Sequence, residues 1–322
     1  MNGSVYCFGE ALIDFHAERR ADNGPPAFIP HAGGAPANVA VAVARLGDAS
    51  AFVGMFGRDV FGDLLLSGLA DAGVDTCHTR TTDAANTALA FVTHDAQGER
   101  SFSFYRPPSA DLLFRDGDFD PAIFAAGNIF HAGSCSMTEA ASAATTLQGM
   151  ARAREAGALV SFDMNLRPAL WPRGEDPAPT IWRALALADF VKLSAEELGF
   201  LAASTGGENA VFEHLWSAAT QFVIITDGER TLRWLTRNAT GGMSPFAVRA
   251  IDSTGAGDAF VGGFLHGLAA AGSLVALLAD DARRDTALRF AAACGALAVT
   301  RTGSFAAMPA LADVHAFLEQ HA

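Results

Sequence analysis

A glycine-rich turn that leads directly into an apolar helical pattern is the segment from which the fold prediction starts. It reads Ile251-Asp-Ser-Thr-Gly-Ala-Gly-Asp258 and continues as Ala259-Phe-Val-Gly-Gly-Phe-Leu-His-Gly-Leu-Ala-Ala270. Such a turn gathers backbone N–H groups and the positive end of a helix dipole around one point, which suits an anion. Asp258 falls in the first helical turn, where a carboxylate is well placed to accept the proton of an attacking hydroxyl. The same residues are also compatible with a tight turn closed by a capping carboxylate.

Short apolar runs alternate with helical patterns along the rest of the chain. Ala35–Leu46 is a predicted helix followed by Gly47, and Asp59–Ala72 is another, followed by Gly73. Because this alternation produces right-handed βαβ crossovers, we predict an α/β fold, a three-layer α/β/α sandwich with a mostly parallel central sheet. Ligands of such sheets bind at the carboxyl ends of the strands. The predicted strands are Val5–Phe8, Ala51–Val53, Leu89–Thr93, Asn128–Phe130, Ala158–Phe162, Phe190–Lys192, Phe222–Thr226 and Leu232–Leu235.

Two segments interrupt the alternation. Phe15–His31 is polar and rich in Gly and Pro, and Ala88–Tyr105 alternates like two strands joined by a turn at Asp95-Ala-Gln-Gly98. Together, over about residues 15–32 and 88–108, they predict a small antiparallel β lid on a single α/β domain that spans residues 1–322. Because so small a sheet has little core of its own, we expect it to cover a ligand or to pack against a second copy of the chain.

Composition excludes several classes of function. The formal charge of −13 would repel nucleic acid and anionic membranes, so neither is expected as a partner. No long apolar run or signal-peptide pattern occurs, and a cytoplasmic location is expected. Lys192 is the only lysine, and the Walker and Rossmann glycine patterns are absent, which disfavours P-loop and dehydrogenase chemistry. The four cysteines form no Cys-x-x-Cys pair, so we predict small buried side chains and no zinc site: Cys7, Cys77, Cys135 and Cys294.

Several spaced motifs resemble those of the ribokinase-like (PfkB) carbohydrate kinases. Asp252-Ser-Thr-Gly-Ala-Gly-Asp-Ala-Phe260 is similar to the C-terminal signature of that family, with Ser253 in place of the usual threonine. Gly33-Gly-Ala-Pro-Ala-Asn-Val-Ala-Val-Ala-Val-Ala-Arg-Leu-Gly47 resembles its sugar-binding segment. Gly54-Met-Phe-Gly-Arg-Asp-Val-Phe-Gly62 follows at the expected place. Because the motifs cover essentially the whole chain, the resemblance implies a ribokinase-like fold and an ATP-dependent sugar kinase.

The resemblance also implies roles for individual residues. Asp258 corresponds to the base that takes the proton of the primary hydroxyl of the sugar. The backbone amides around it correspond to the anion hole for the transferring phosphoryl group, and would replace the missing lysine: Gly255, Ala256, Gly257 and Asp258. The sugar would be bound by Asp14, Gly33, Gly34 and Asn38.

The nucleotide side follows from three further segments. The Asn-x-x-Glu motif that organises Mg²⁺ through water falls at Ser194-Ala-Glu-Glu197, where Ser194 replaces asparagine and Glu197 is kept. Thr226-Asp-Gly228 corresponds to the strand and loop near the nucleotide. Backbone carbonyls in two loops would hold a monovalent cation such as K⁺, with Asp252 and Thr254 in one and Arg301 and Gly303 in the other.

The sequence fits two subfamilies of the family that act on different sugars. Phe162-Asp-Met-Asn-Leu-Arg-Pro-Ala-Leu-Trp171 resembles a stretch shared by fructokinases and 2-keto-3-deoxygluconate kinases, and Arg106 and Arg167 fit both. Phe104 stands where a keto acid kinase would carry a tyrosine, which favours D-fructose and fructose 6-phosphate. The alternatives are a keto acid kinase, another sugar or riboside kinase, and a catalytically silent sugar sensor. The β lid either pairs with a second copy of the chain in a homodimer or acts as a lid alone.

Overall fold

Nine strands form the larger sheet of the computed structural model, which describes residues 3–18, 24–94 and 100–321. Their order is β13-β12-β11-β10-β9-β8-β1-β4-β5, and every pair from β11 to β5 is parallel. Only β12 and β13 run antiparallel to their neighbours. The strands are β1 (Val5–Phe8), β4 (Ser50–Gly57), β5 (Thr79–Thr82), β8 (Ile129–Gly133), β9 (Leu159–Asp163), β10 (Phe190–Ser194), β11 (Phe222–Asp227), β12 (Arg230–Leu235) and β13 (Thr240–Met243).

Helices cover both faces of this sheet. One core packs α1, α7 and α9 against one face, and a second core packs α3, α4, α5 and α6 against the other. The predicted three-layer α/β/α architecture is therefore confirmed. The helices are α1 (Ala35–Arg45), α2 (Val60–Asp71), α3 (Ala140–Glu155), α4 (Ala178–Leu185), α5 (Ala195–Thr205), α6 (Glu208–Trp216), α7 (Ala256–Ala271), α8 (Leu274–Leu278), α9 (Asp281–Ala298) and α10 (Leu311–Gln320).

Local signals set the helix boundaries close to the predicted ones. Asp59 caps α2, because its Oδ1 accepts hydrogen bonds from the amides of Phe61 and Gly62 at 3.0 and 2.9 Å. Pro36 lies in the first turn of α1, where no amide donor is needed, and Gly47 follows that helix with φ 92°. The eight predicted strands overlap observed ones.

A four-stranded sheet lies outside the main one, in the order β3-β2-β6-β7. Its strands are β2 (Leu12–Glu18), β3 (Ala27–Gly33), β6 (Ala88–His94) and β7 (Arg100–Tyr105). The expectation of an antiparallel lid was wrong in one respect, since β2 and β6 pair in parallel. Parallel pairing needs a long crossover, and the crossover here runs through α1, β4, α2 and β5. The predicted turn at residues 95–98, and residues 19–23 of the other segment, lie outside the described residues.

The described helices and the four cysteines can be compared with what composition indicated. In the described part of the chain, no helix is long and apolar enough to cross a membrane. Cys7, Cys135 and Cys294 are buried as predicted, but Cys77 is exposed. Cys77 lies in the loop between α2 and the edge strand β5.

Candidate active site

Asp258 lies in the first turn of α7 and is held by two asparagines from distant parts of the chain. Nδ2 of Asn38 donates to Oδ2 of Asp258 at 2.7 Å, and Nδ2 of Asn165 contacts Oδ1 at 3.4 Å. The carboxylate is 7% exposed. Asn38 is on α1, which packs against α7, so the sugar-binding segment and the glycine-rich turn meet at this hydrogen bond.

The surroundings of Asp258 give it the titration behaviour of a base that works near neutral pH. Burial raises the pKa of Asp258 to about 6, from 3.8 for an ordinary aspartate. The hydrogen bond from Asn38 opposes this rise in pKa, as do the charges of Lys192 and Arg167. Asp163 adds to it. The carboxylate is therefore ionised at pH 7 and becomes protonated in mild acid.

The turn before Asp258 brings backbone amides to one point. Gly255 adopts φ 76°, a left-handed conformation that glycine accepts without strain, and α7 begins at Ala256. A Cβ on Gly255 would lie 2.9 Å from Cε of Met308, so the loop is also closely packed. The amide of Ala256 contacts the carbonyl of Ser253 at 3.3 Å. The other early amides of a helix have no acceptor within it and can face an anion.

The sole lysine of the chain lies at this anion pocket, which the sequence analysis did not foresee. Nζ of Lys192 is 3.1 Å from the position that a Cβ of Gly257 would occupy. It is also 3.1 Å from both carboxylate oxygens of Asp163. Burial opposes the charge on Lys192, but Asp163 and Glu197 outweigh burial and raise its pKa. The anion pocket therefore contains a charged lysine as well as the backbone amides, although the sequence analysis expected the amides to act without a lysine.

Strand geometry explains how Lys192 and Asp163 reach the pocket. Lys192 pairs in register with Asp163 on the neighbouring strand, and cross-strand partners point to the same face of a sheet. Asp163 is the last residue of β9, and Asn165 follows it with φ 39°. The stretch Asp163-Met-Asn-Leu-Arg167 was noted only for its bearing on the sugar, although three of its side chains surround Asp258.

The residues expected to bind the sugar lie next to Asp258. Burial raises the pKa of Asp14 to about 7, with Asp252 and Asp258 adding to the rise and Arg167 opposing it. A Cβ on Gly33 would lie 2.6 Å from Oδ2 of Asp14, so any larger residue would displace that carboxylate. Gly34 has φ 106° at the start of α1. These residues form a close-packed polar floor.

Two buried polar atoms beside these residues have no hydrogen-bond partner among the described residues. They are Oδ1 of Asn38 and Oγ of Ser304, both buried. Ser304 Oγ lies 3.2 Å from the Cβ position of Gly33. Because a buried unsatisfied polar group costs about 1–3 kcal/mol, these atoms suit a bound molecule rich in hydroxyls. Ser304 was missed, since nothing local in the sequence distinguishes it.

The smaller sheet presents one row of side chains to the site. His31, Asp14, Ala90 and Phe104 are consecutive partners across β3, β2, β6 and β7. They therefore share one face of the sheet. Phe104 packs against Leu12, Ala88 and Ala90. This row places an aromatic ring, as predicted for position 104, on the same face as the carboxylate of Asp14.

The two arginines expected at the substrate differ in their surroundings. Arg106 is 2% exposed, and its Nε and one terminal nitrogen donate to Oδ2 of Asp111 at 2.8 and 2.6 Å. Its other terminal nitrogen is 3.3 Å from the hydroxyl of Thr138. Asp111 therefore balances the charge of Arg106, and contact between Arg106 and the substrate stays a prediction. Arg167 is exposed, and its charge acts on both Asp14 and Asp258.

Ser194 and Glu197 form a reciprocal cap at the start of α5. The Ser194 hydroxyl accepts from the amide of Glu197 at 3.1 Å, and Oε2 of Glu197 accepts from the amide of Ser194 at 2.7 Å. Oε1 of Glu197 accepts from the amide of Leu166 at 2.7 Å. Serine caps a helix as well as asparagine does, so the exchange preserves the local structure. Since both carboxylate oxygens are engaged, Glu197 fits contact with Mg²⁺ through water better than direct ligation.

A cavity of about 770 Å³ adjoins the glycine-rich turn. Its lining includes Thr226 and Gly228 at the end of β11, the two residues predicted for the nucleotide side. The opposite wall is α9, and the floor is formed by Ala256 and Gly257. A nucleotide in this cavity would have its phosphates directed at the start of α7.

The two loops expected to hold a monovalent cation are joined by one buried carboxylate. Oδ1 of Asp252 accepts from the amide of Thr254 at 2.8 Å, and Oδ2 accepts from the amide of Gly303 at 3.2 Å. The side chain of Arg301 pairs with Asp313 at 2.9 Å, which leaves its backbone to the loop. The loops are therefore adjacent, as a cation site shared between their carbonyl groups would require.

Comparisons with known proteins agree with this arrangement. A family model described as pfkB family carbohydrate kinase matches residues 2–311. Fructokinase-1 from Oryza sativa subsp. japonica is 40% identical over 317 residues, which are 98% of this chain and 97% of that protein. The structure of fructokinase with bound ATP from Xylella fastidiosa has a TM-score of 0.95 and 52% identity, and covers 100% of this chain and 99% of that one.

A second solved structure carries more ligands. It is a fructokinase double mutant from Vibrio cholerae O395 in a form with fructose, ADP and potassium ion bound. It has a TM-score of 0.88 and 37% identity, and covers 98% of each chain. With a family match over nearly its whole length, the chain belongs to the pfkB family of carbohydrate kinases.

Proposed function

We propose that this sugar kinase is an ATP-dependent fructokinase, which transfers the γ-phosphoryl group of ATP to the primary hydroxyl of D-fructose and forms fructose 6-phosphate. The observation that carries the proposal is the 2.7 Å hydrogen bond between Asn38 and Asp258. It brings a sugar-binding segment to a base that stands beside an anion pocket. The fructokinases similar to this chain, with ATP in one structure and fructose and ADP in another, support the choice of substrates.

Asp258 would accept the proton of the sugar hydroxyl as that oxygen attacks the γ-phosphorus. The amides of Gly255, Ala256, Gly257 and Asp258 and the ammonium of Lys192 would offset the charge that develops on the phosphoryl oxygens. Asp163 holds Lys192 in place. Magnesium bound with ATP would neutralise phosphate charge, and Glu197 would reach it through water.

Arg106 distinguishes fructose from a keto acid. A kinase for 2-keto-3-deoxygluconate must neutralise the carboxylate of its substrate, and two arginines were expected to do so. Here Asp111 already balances the charge of Arg106, which leaves Arg167 to meet a substrate carboxylate. Phe104 also lacks the hydroxyl that a tyrosine would offer. The site therefore fits a neutral sugar.

A panel of acceptors tests the substrate. We expect kcat/KM for D-fructose, measured by coupled ADP release, to exceed that for 2-keto-3-deoxygluconate and D-ribose. A preference for the keto acid would contradict the proposal. ADP release that does not depend on any sugar in the panel would favour a silent sugar sensor instead.

Quaternary structure and location extend the proposal. Residues 1–322 would form one domain, with the four-stranded sheet as a lid. Its outer face exposes Phe28 and Tyr105, which pack on either side of Phe91, and this apolar surface supports a homodimer through the lid. Light scattering should give a dimer mass that Tyr105→Asp lowers; a wild-type monomer would contradict the dimer. The cytoplasmic location stays a prediction.

A further inference from the structure

A cluster of mixed donor atoms lies in the loop between α2 and β5, outside the residues assigned to the kinase site. Asp75, Cys77 and His78 each place one ligand atom within 4.8 Å of the others. Asp75 and Cys77 are exposed, and the side chain of His78 is 11% exposed. The prediction of no zinc site rested on the absence of paired cysteines and did not weigh a single cysteine next to a histidine.

The spacing suits a small tetrahedral ion. Bonds of about 2.0–2.3 Å to zinc place tetrahedral ligand atoms roughly 3.4–3.8 Å apart. Sγ of Cys77 already lies 3.3 Å from Oδ2 of Asp75. Because the Asp75 and Cys77 side chains are exposed, small rotations would close the remaining separation.

The scaffold under the cluster is ordered by its own contacts. Backbone hydrogen bonds of 2.9 and 3.0 Å tie Asp75 to Ser50 and Phe52 of β4. The ring of His78 packs edge-on against Tyr6 of β1, with 5.4 Å between ring centroids. The three donors are therefore carried by the edge of the main sheet.

The polar groups of the cluster are incompletely satisfied. Nδ1 of His78 is buried and makes no hydrogen bond among the described residues, although Oδ2 of Asp120 is 3.4 Å away. Neither Asp75 nor Asp120 pairs with an arginine or lysine in the part of the chain that the structure describes. Two carboxylates without a counter-cation beside a histidine and a thiol favour a bound cation.

We propose that Asp75, Cys77 and His78 form a surface site for a zinc-class divalent ion, separate from the magnesium of the kinase reaction. Sulfur, nitrogen and oxygen together are the donors of zinc, whereas magnesium takes oxygen. Binding replaces the contact between the Cys77 thiol and Asp75 with a metal–thiolate bond, and the thiol proton is released to solvent. The ion would brace the loop that leads to β5.

Titration of chelator-treated protein with Zn²⁺ against a chromophoric chelator tests the site, in excess Mg²⁺ so that the kinase site does not take up zinc. We expect one equivalent to bind, and Cys77→Ser and His78→Gln each to weaken binding by at least about tenfold. Substituting Co²⁺ should give a thiolate-to-metal absorption band that Cys77→Ser removes. His214→Gln, which alters an exposed histidine on α6, is the control and should change nothing.

Thermal unfolding separates loss of a ligand from loss of structure. Cys77→Ser should unfold at the wild-type temperature without metal and should lose the stabilisation that Zn²⁺ gives the wild-type protein. Zinc binding of unchanged affinity in Cys77→Ser, or a cobalt complex without a thiolate band, would overturn the proposal.

Discussion

Replacing Asp258 by asparagine separates the chemical role of the carboxylate from its structural one. The side chains have the same shape, and Nδ2 of Asn38 can still donate to the amide oxygen. The new NH₂ group would face Asn165, whose contact with Asp258 is the longer of the two at 3.4 Å. The fold should therefore survive, while the proton acceptor is lost.

The size of both effects follows from the site. A general base contributes roughly 10²- to 10⁴-fold to the rate, so kcat should fall by that factor. Stability should change in the opposite direction. The folded pKa of Asp258 is about 6 against 3.8 for an ordinary aspartate. Protonated Asp258 therefore contributes its full stabilisation below pH 3.8, and this contribution is lost as the pH rises through 6. At pH 8 the buried charge lowers the free energy of unfolding by about 3 kcal/mol. Because Asp258→Asn removes this buried charge, the variant recovers part of that free energy of unfolding.

Coupled ADP release gives kcat, and thermal unfolding at pH 5 and pH 8 gives stability. We expect Asp258→Asn to be nearly inactive at both values, to bind fructose by calorimetry, and to unfold no earlier than wild type at pH 8. A kcat within tenfold of wild type would refute the role of Asp258 as base. Loss of fructose binding together with early unfolding would show instead that the carboxylate is structural.

Three other predictions follow from neighbouring contacts. Wild-type kcat should fall about tenfold per pH unit below about 6, because Asp258 is then protonated. Asn165→Ala removes a hydrogen-bond donor to that carboxylate, so it should shift the acid limb of the pH–rate profile to higher pH. An unchanged limb would contradict the contact. Lys192→Met, combined with Asp163→Asn so that no buried charge is left unpaired, should lower kcat by about 10²-fold in the coupled assay, whereas Asp163→Asn alone should cost less. Ser194→Ala should lower the free energy of unfolding by about 1 kcal/mol in urea titration, and Ser194→Asn should not.

Much of the fold could be predicted because its signals are local. Apolar runs of strand length alternating with capped helices imply a parallel sheet with helices on both faces, and the caps at Asp59 and Pro36 act within one turn. The lid was less predictable. Its parallel β2–β6 pairing depends on an intervening crossover of several elements. The sequence near β2 and β6 does not specify with which strand each of them pairs.

Some residues of the candidate active site could likewise be predicted from the sequence, and others could not. Residues in recognisable motifs, such as Asp14, Asn38 and Asp258, could be named from the sequence. Arg106 was assigned to the substrate from the resemblance, whereas its ion pair with Asp111 became visible only in the folded structure. Ser304 gave no signal, since a buried serine and an exposed one look alike in sequence.

The sequence by itself determined the alternation of strands and helices, the glycine-rich turn at Gly255–Asp258 and a carboxylate suited to be a base. Only the tertiary structure decided what surrounds that carboxylate. Lys192 reaches the anion pocket because strand register places it beside Asp163, and burial moves the pKa of Asp258 to about 6. Register, burial and charge pairing arise between residues far apart in the chain, so they exist only once the sheet has formed.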